Sequence, residues 1–169
     1  MQKTIIFKKN LIFKRLIFLI MLVVAFYAIF NFSSQNAEIS GSLSEQVTEF
    51  IVNILSKLKT MDVSSKLYYV ERLHPIIRKL AHFGVYTVVG FSIMGFMCTF
   101  NIRNIFKVII SFLVGATYAI TDEIHQYFIP GRCASIRDIC IDSVGVLTGI
   151  FILIILIIFV ESIVNWLKR

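Results

Sequence analysis

Two short polar segments stand inside an otherwise very apolar chain, and their side chains are of the types that carry chemistry. Residues 78–83 contain a basic pair and a histidine, and residues 121–132 contain two acidic residues, a histidine, a glutamine and an arginine. Asp138 and Asp142 follow closely. Ionisable side chains are costly and rare in lipid-embedded helices, so each such group is by default a functional-site hypothesis.

Helical spacing decides which of these side chains can meet. Arg78 and His82 are four residues apart and share a helix face, with Tyr86 one turn deeper. Asp122, His125 and Gln126 are expected to share a face in the same way. We expect the helix ends to converge on a pocket with these candidate residues: Arg78, His82, Tyr86, Asp122, Glu123, His125, Gln126, Arg132, Asp138 and Asp142.

Three interpretations of this pocket stay open. The first is a structural network, in which arginines pair with acidic residues and hold the helix ends together. The second is a metal site, with His82, Asp122 and His125 as weak candidate ligands and Asp138 and Asp142 nearby. The third is a ligand or acid–base site, in which the same three residues are the catalytic candidates. No nucleophile motif is present, so we assign no catalytic residue. We predict no cofactor and assign no metal, but a divalent metal stays open as an alternative.

The composition indicates an integral membrane protein. Of the 169 residues, 57% are hydrophobic and 16% charged, with a mean hydropathy of +0.83. A soluble domain carries about 25% charged residues. The apolar residues also occur in long runs, which excludes an ordinary soluble helical domain. We expect one membrane domain over residues 1–169.

Four apolar stretches are long enough to cross a bilayer, which needs about 20 residues. They cover residues 11–30, 80–100, 105–126 and 139–160. We expect the first to be an uncleaved anchor. Between the first two stretches, apolar residues recur at helical spacing over residues 42–58, with Ser42 or Ser44 as the cap. The predicted fold is therefore an all-α polytopic membrane protein with about four transmembrane helices and an outer amphipathic helix.

The distribution of charge predicts the orientation. The formal net charge is +7, and nearly all of it lies at the two termini and in the second loop. Basic residues favour the cytoplasmic side, so both termini are predicted to be cytoplasmic and the pocket to face outward from the cell membrane. This orientation in the lipid bilayer explains the positive net charge, so we expect the bilayer as a partner and no nucleic acid. The oligomeric state is not predicted.

The polar motifs resemble those of the VanZ-like family of bacterial integral membrane proteins. The matching segments are residues 32–35 (FSSQ), 78–86 (RKLAHFGVY), 121–126 (TDEIHQ) and 131–132 (GR), followed by Asp138 and Asp142 before Gly145. The resemblance implies a small multi-helix protein of the cell envelope. It also implies a link to antibiotic resistance, since the name-giving member is associated with reduced susceptibility to the glycopeptide teicoplanin.

Two functional hypotheses follow. The first is a non-enzymatic envelope protein that lowers susceptibility to lipoglycopeptides such as teicoplanin through its outward pocket, with cell-wall precursor lipids or the antibiotic as partner. The alternative is an intramembrane enzyme, with or without a metal, that acts on a lipid-linked or cell-wall substrate.

Overall fold

The computed structural model describes residues 2–58 and 62–168, except for the side chains of residues 2–9, 37–40, 43 and 58. Within these residues it contains five helices and no strand: α1 (Gln2–Ser34), α2 (Ala37–Leu58), α3 (Val63–Met97), α4 (Asn104–Tyr127) and α5 (Ile136–Leu167). All except α2 are long and apolar enough to cross a membrane. The predicted all-α fold class is therefore confirmed.

The observed helices are longer than the apolar stretches. The largest difference is in α3, which begins at Val63 and not at residue 80, and ends at Met97 rather than residue 100. Its first turns carry serine, lysine, glutamate and arginine, so a count of apolar residues detects only its second half. Pro75 also lies inside α3, although proline usually interrupts a helix because it lacks an N–H group.

The connecting helix α2 begins at Ala37, earlier than the predicted residue 42. Ser42 and Ser44 therefore lie inside the helix, and the prediction that one of them caps it is wrong. Ser44 instead lies 2.7 Å from Nε2 of His74, which ties α2 to α3. Leu43 and Leu58, two residues of the predicted apolar face, have side chains outside the described part.

Helix α3 occupies the centre of the bundle and packs against all four other helices, most extensively against α5. Glycines permit this contact. A Cβ atom at Gly90 would collide with the backbone carbonyl of Val146, and one at Gly149 would collide with that of Thr87. Small residues let helix backbones approach closely within lipid, where the hydrophobic effect does not drive helices together.

At one end of the bundle, Arg15 connects α1 to the turn that follows α3. Its Nε donates a hydrogen bond of 3.0 Å to Oγ1 of Thr99, in the turn after α3. Its guanidinium also lies 4.4 Å from the ring centroid of Phe100. The buried polar side chains described below lie at the opposite end, where α1 and α4 end and α5 begins.

Candidate functional site

Charged and polar side chains are buried together at this second end of the bundle. The set comes from α4, the α4–α5 loop and α5, and its members are 8% exposed or less: Asp122, Glu123, Gln126, Arg132 and Asp142. A buried polar group is costly without a hydrogen-bond partner, so the partners of each decide what the site can do.

Gln126 and Arg132 form a hydrogen-bonded chain across the helix ends. Gln126 Nε2 donates to Oδ2 of Asp122 at 3.0 Å. Arg132 Nη1 donates to Oε1 of Gln126 at 3.0 Å, and its Nη2 donates to the carbonyl of Phe32 at 2.9 Å. Burial lowers the pKa of the Arg132 guanidinium, and nearby Arg78 adds to this effect. An arginine stays protonated in proteins, so Arg132 is a fixed positive charge that joins the α4–α5 loop to α1.

Glu123 fixes the start of α5. Its Oε2 accepts a hydrogen bond of 2.8 Å from the backbone N–H of Ser135, the residue that precedes the first turn of α5. The Glu123 side chain is almost fully buried. Its position is therefore explained by a structural role, although it also lines a cavity.

We expect Glu123→Ala to lower the free energy of unfolding by about 1–2 kcal/mol, because it leaves the Ser135 N–H without its acceptor. Glu123→Gln keeps an acceptor oxygen and should recover most of this loss. Thermal unfolding of the purified protein in detergent measures both changes. Equal losses in the two variants would contradict the proposed role of the hydrogen bond.

A second set of side chains faces inward from three helices. His82 of α3, Asp122 of α4 and Asp142 of α5 each offer a nitrogen or oxygen atom, and these atoms all lie within 4.8 Å of one another. His82 Nδ1 and Asp142 Oδ2 are 4.0 Å apart. Tyr86, one turn further along α3 from His82, is fully buried, and its hydroxyl has no hydrogen-bond partner in the described part of the chain. His82, Asp122 and Asp142 are therefore the residues of the site that lie close enough to bind one ion or to exchange a proton.

His125 lies apart from these residues. Its Nε2 is 3.2 Å from Oγ of Ser34, and its ring stacks on Phe30 with a centroid distance of 5.1 Å. Side chains three positions apart diverge by about 60° around a helix, so Asp122 faces α3 and α5 while His125 faces α1. The expected grouping of His82, Asp122 and His125 is corrected, because Asp142 takes the place of His125.

Two adjacent cavities open at this end of the bundle. The polar cavity, of about 200 Å³, is lined by six of the candidate residues: Arg78, His82, Glu123, Gln126, Asp138 and Asp142. The apolar cavity, of about 230 Å³, lies among α1, α2 and α3, and Ile29, Val47 and Val85 are among its lining residues. Arg78 and His82 line both cavities.

Three residues of the site were absent from the sequence-based candidate set. Lys79 forms an ion pair of 2.5 Å with Asp138, and both side chains are about one-third exposed. His74 lines the polar cavity. Ser33 is fully buried and accepts a hydrogen bond of 3.4 Å from Gln126. Ser33 belongs to residues 32–35, one of the segments that resemble the VanZ-like family. A polar segment directly after an apolar span is the sequence signal that indicates this residue.

The fold and the site define a polytopic helical membrane protein with a polar site enclosed at one end of its bundle. Residues 18–159 match the VanZ/LLP1 family, and the chain belongs to that family. It is therefore a multi-pass membrane protein, and the resemblance inferred from its polar motifs is confirmed. No curated protein and no solved structure matches the chain.

Proposed function

We propose that this VanZ/LLP1 family member binds an anionic amphiphile of the cell envelope at the outer leaflet and thereby lowers susceptibility to lipidated glycopeptides such as teicoplanin. The amphiphile is a cell-wall precursor lipid or the antibiotic itself. The observation that supports this proposal is the pair of adjacent cavities, one polar and one apolar, which share Arg78 and His82.

Arg78 is suited to bind the anionic group. Its side chain is half-buried and makes no hydrogen bond or ion pair with the described part of the chain. A guanidinium binds a phosphate or carboxylate through two parallel hydrogen bonds. The neighbouring apolar cavity offers room for part of an alkyl chain, and each buried CH₂ group contributes about 0.8 kcal/mol.

The proposed orientation places these cavities at the outer face. It depends on the excess of basic residues near the termini, several of which (Lys3, Lys8, Lys9 and Arg169) have side chains outside the described residues. Cys133, in the exposed α4–α5 loop, provides the test of this orientation. A membrane-impermeant maleimide added to intact cells should label Cys133, whereas labelling only after lysis would reject an outward site.

We expect expression of the chain in a susceptible Gram-positive host to raise the inhibitory concentration of teicoplanin more than that of vancomycin, which lacks a lipid tail. Arg78→Gln should remove the effect, because loss of a charge-assisted hydrogen bond weakens binding by about tenfold or more. Growth inhibition at matched membrane levels of each variant is the measurement.

Arg72→Gln is the matched control, since Arg72 lies on the same helix but stacks over Tyr68 and lines neither cavity. It should protect as well as the wild type. Protection that survives Arg78→Gln would contradict the role of Arg78. Equal protection against both antibiotics would contradict recognition of a lipid tail.

An intramembrane enzyme that acts on a lipid-linked substrate is the second candidate. The observation that favours it is the closeness of His82 to Asp122 and Asp142, because an imidazole beside carboxylates can transfer protons near neutral pH. Profiling of the lipid-linked precursors in the same strains separates the two candidates. A binding protein leaves their chemical structure unchanged, whereas an enzyme produces a modified species that His82→Ala abolishes.

A further inference from the structure

Asp142 is the least satisfied charged side chain in the described part of the molecule. It is 1% exposed, and neither of its carboxylate oxygens has a hydrogen-bond partner. Both oxygens are enclosed by protein, next to His82 and Asp122. A carboxylate in such surroundings is very costly unless a positive charge or a proton accompanies it.

Lys79 and Arg132 are engaged elsewhere, and Arg78 forms no ion pair with Asp122 or Asp142. Lys79 pairs with Asp138, one turn earlier on α5. The two terminal nitrogens of Arg132 donate to Gln126 and to the carbonyl of Phe32. His82 approaches Asp142 only to 4.0 Å, beyond hydrogen-bond distance. The site therefore holds two carboxylates whose charge the protein does not balance by direct contact.

The atoms of His82, Asp122 and Asp142 are arranged as ligands of one ion. At metal–ligand distances of about 2.1 Å, neighbouring ligand atoms lie about 3–4 Å apart. The observed separations of at most 4.8 Å are close to this range. Displacements of about 1 Å or less within existing rotamers would bring all three into coordination. Each ligand comes from a different helix, so the bundle itself sets the geometry.

We propose that His82, Asp122 and Asp142 bind one divalent cation, Mn²⁺ or Zn²⁺. Imidazole nitrogen is a preferred ligand of zinc, while carboxylate oxygen also suits manganese. Three protein ligands leave at least one coordination position for water or a bound anion, and the adjoining polar cavity has room for several waters. This proposal does not depend on amphiphile binding or on resistance, because the three side chains alone define it.

The test uses the full-length protein, stripped of metal with a chelator and reconstituted in phosphatidylcholine nanodiscs. Equilibrium dialysis against Mn²⁺ or Zn²⁺, followed by elemental mass spectrometry, should find one ion per chain. His82→Ala, Asp122→Asn and Asp142→Asn should each weaken binding by at least about tenfold. Loss of a contact that only supports a ligand already costs about 10–100-fold in metal affinity, and these changes remove the ligands themselves. Added metal should also raise the unfolding temperature of the wild type but not of Asp142→Asn.

Two variants control for loss of similar groups elsewhere. Glu161→Gln removes an exposed carboxylate from the far part of α5, and His125→Ala removes the histidine that contacts α1. Both should bind one ion as the wild type does. Electron spin-echo spectroscopy of bound Mn²⁺ should detect a coordinated nitrogen, and His82→Ala should lose that signal in folded protein.

Failure of the wild type to bind either ion, or unchanged affinity in folded Asp142→Asn, would overturn the proposal. So would a nitrogen signal that persists in His82→Ala but disappears in His125→Ala. Asp142→Asn that unfolds at a higher temperature, with no metal bound by the wild type, would also overturn it, by showing that the Asp142 carboxylate is an uncompensated charge and not a ligand. None of these measurements involves an antibiotic or a lipid-linked precursor, so their outcome is separate from that of the proposed function.

Discussion

Gly149→Ala is expected to destabilise the bundle by about 3 kcal/mol, at the upper end of the cost of overpacking. The added Cβ atom would lie well inside the contact distance of the Thr87 carbonyl and 2.6 Å from the backbone nitrogen of Phe91. Both obstacles are backbone atoms, so no side chain can rotate away to make room. Helices α3 and α5 must move apart, and their contact is the most extensive in the protein.

Gly84→Ala is a well-matched control, because Gly84 lies on α3 and nothing is within 4 Å of the position of its Cβ atom. This change should leave stability unchanged or raise it slightly, since alanine is the better helix former. Thermal unfolding in detergent compares the variants. A Gly149→Ala protein as stable as Gly84→Ala would show that the close contact between α3 and α5 does not hold the bundle together.

Arg132→Met is expected to have an effect of similar size, about 3 kcal/mol, because it removes a buried charge from a hydrogen-bonded chain. Methionine fills most of the volume but cannot donate to Gln126 or to the Phe32 carbonyl. The buried oxygen of Gln126 would stay unpaired, and the Phe32 carbonyl would lose its donor. The connection between the α4–α5 loop and the end of α1 would be lost with them.

Arg137→Met separates this loss from a general effect of removing an arginine near the loop. Arg137 is exposed in the first turn of α5, where a positive charge opposes the helix dipole, so its removal should be neutral or slightly stabilising. Unfolding temperatures and the yield of monodisperse protein measure both variants. Equal stability of Arg132→Met and Arg137→Met would contradict the structural role of Arg132.

Hydropathy was sufficient to predict the membrane-spanning helices, because about 20 apolar residues in a row have few other uses. It was insufficient for the polar first half of α3. Those turns are helical because α2 packs on them, with His74 next to Ser44, and that is a tertiary contact. The start of α2 was missed because two serines were favoured as caps although the helix begins earlier, at Ala37.

The composition of the site was predictable in part. Helical spacing correctly paired Asp122 with Gln126, which form a hydrogen bond, but it wrongly placed His125 on the same face. It could not decide whether His125 or Asp142 accompanies His82, because that choice depends on which neighbouring helix lies on each side of α4. Nor does any spacing rule predict that the carbonyl of Phe32 would accept a hydrogen bond from Arg132, a residue distant in sequence.

The length of α3 bears on how deep His82 and the neighbouring aspartates lie in the bilayer. With a rise of 1.5 Å per residue, His82 lies about 24 Å along the helix from Cys98, and Arg78 about 30 Å from it. If Cys98 lies at one edge of a hydrocarbon layer about 30 Å thick, an untilted α3 places Arg78 at the other edge and His82 about 6 Å beneath it. A membrane of shorter acyl chains would bring the histidine and its aspartates toward the hydrated headgroups. Longer chains would surround them with hydrocarbon, so we expect acyl-chain length to affect how readily water reaches the buried carboxylates.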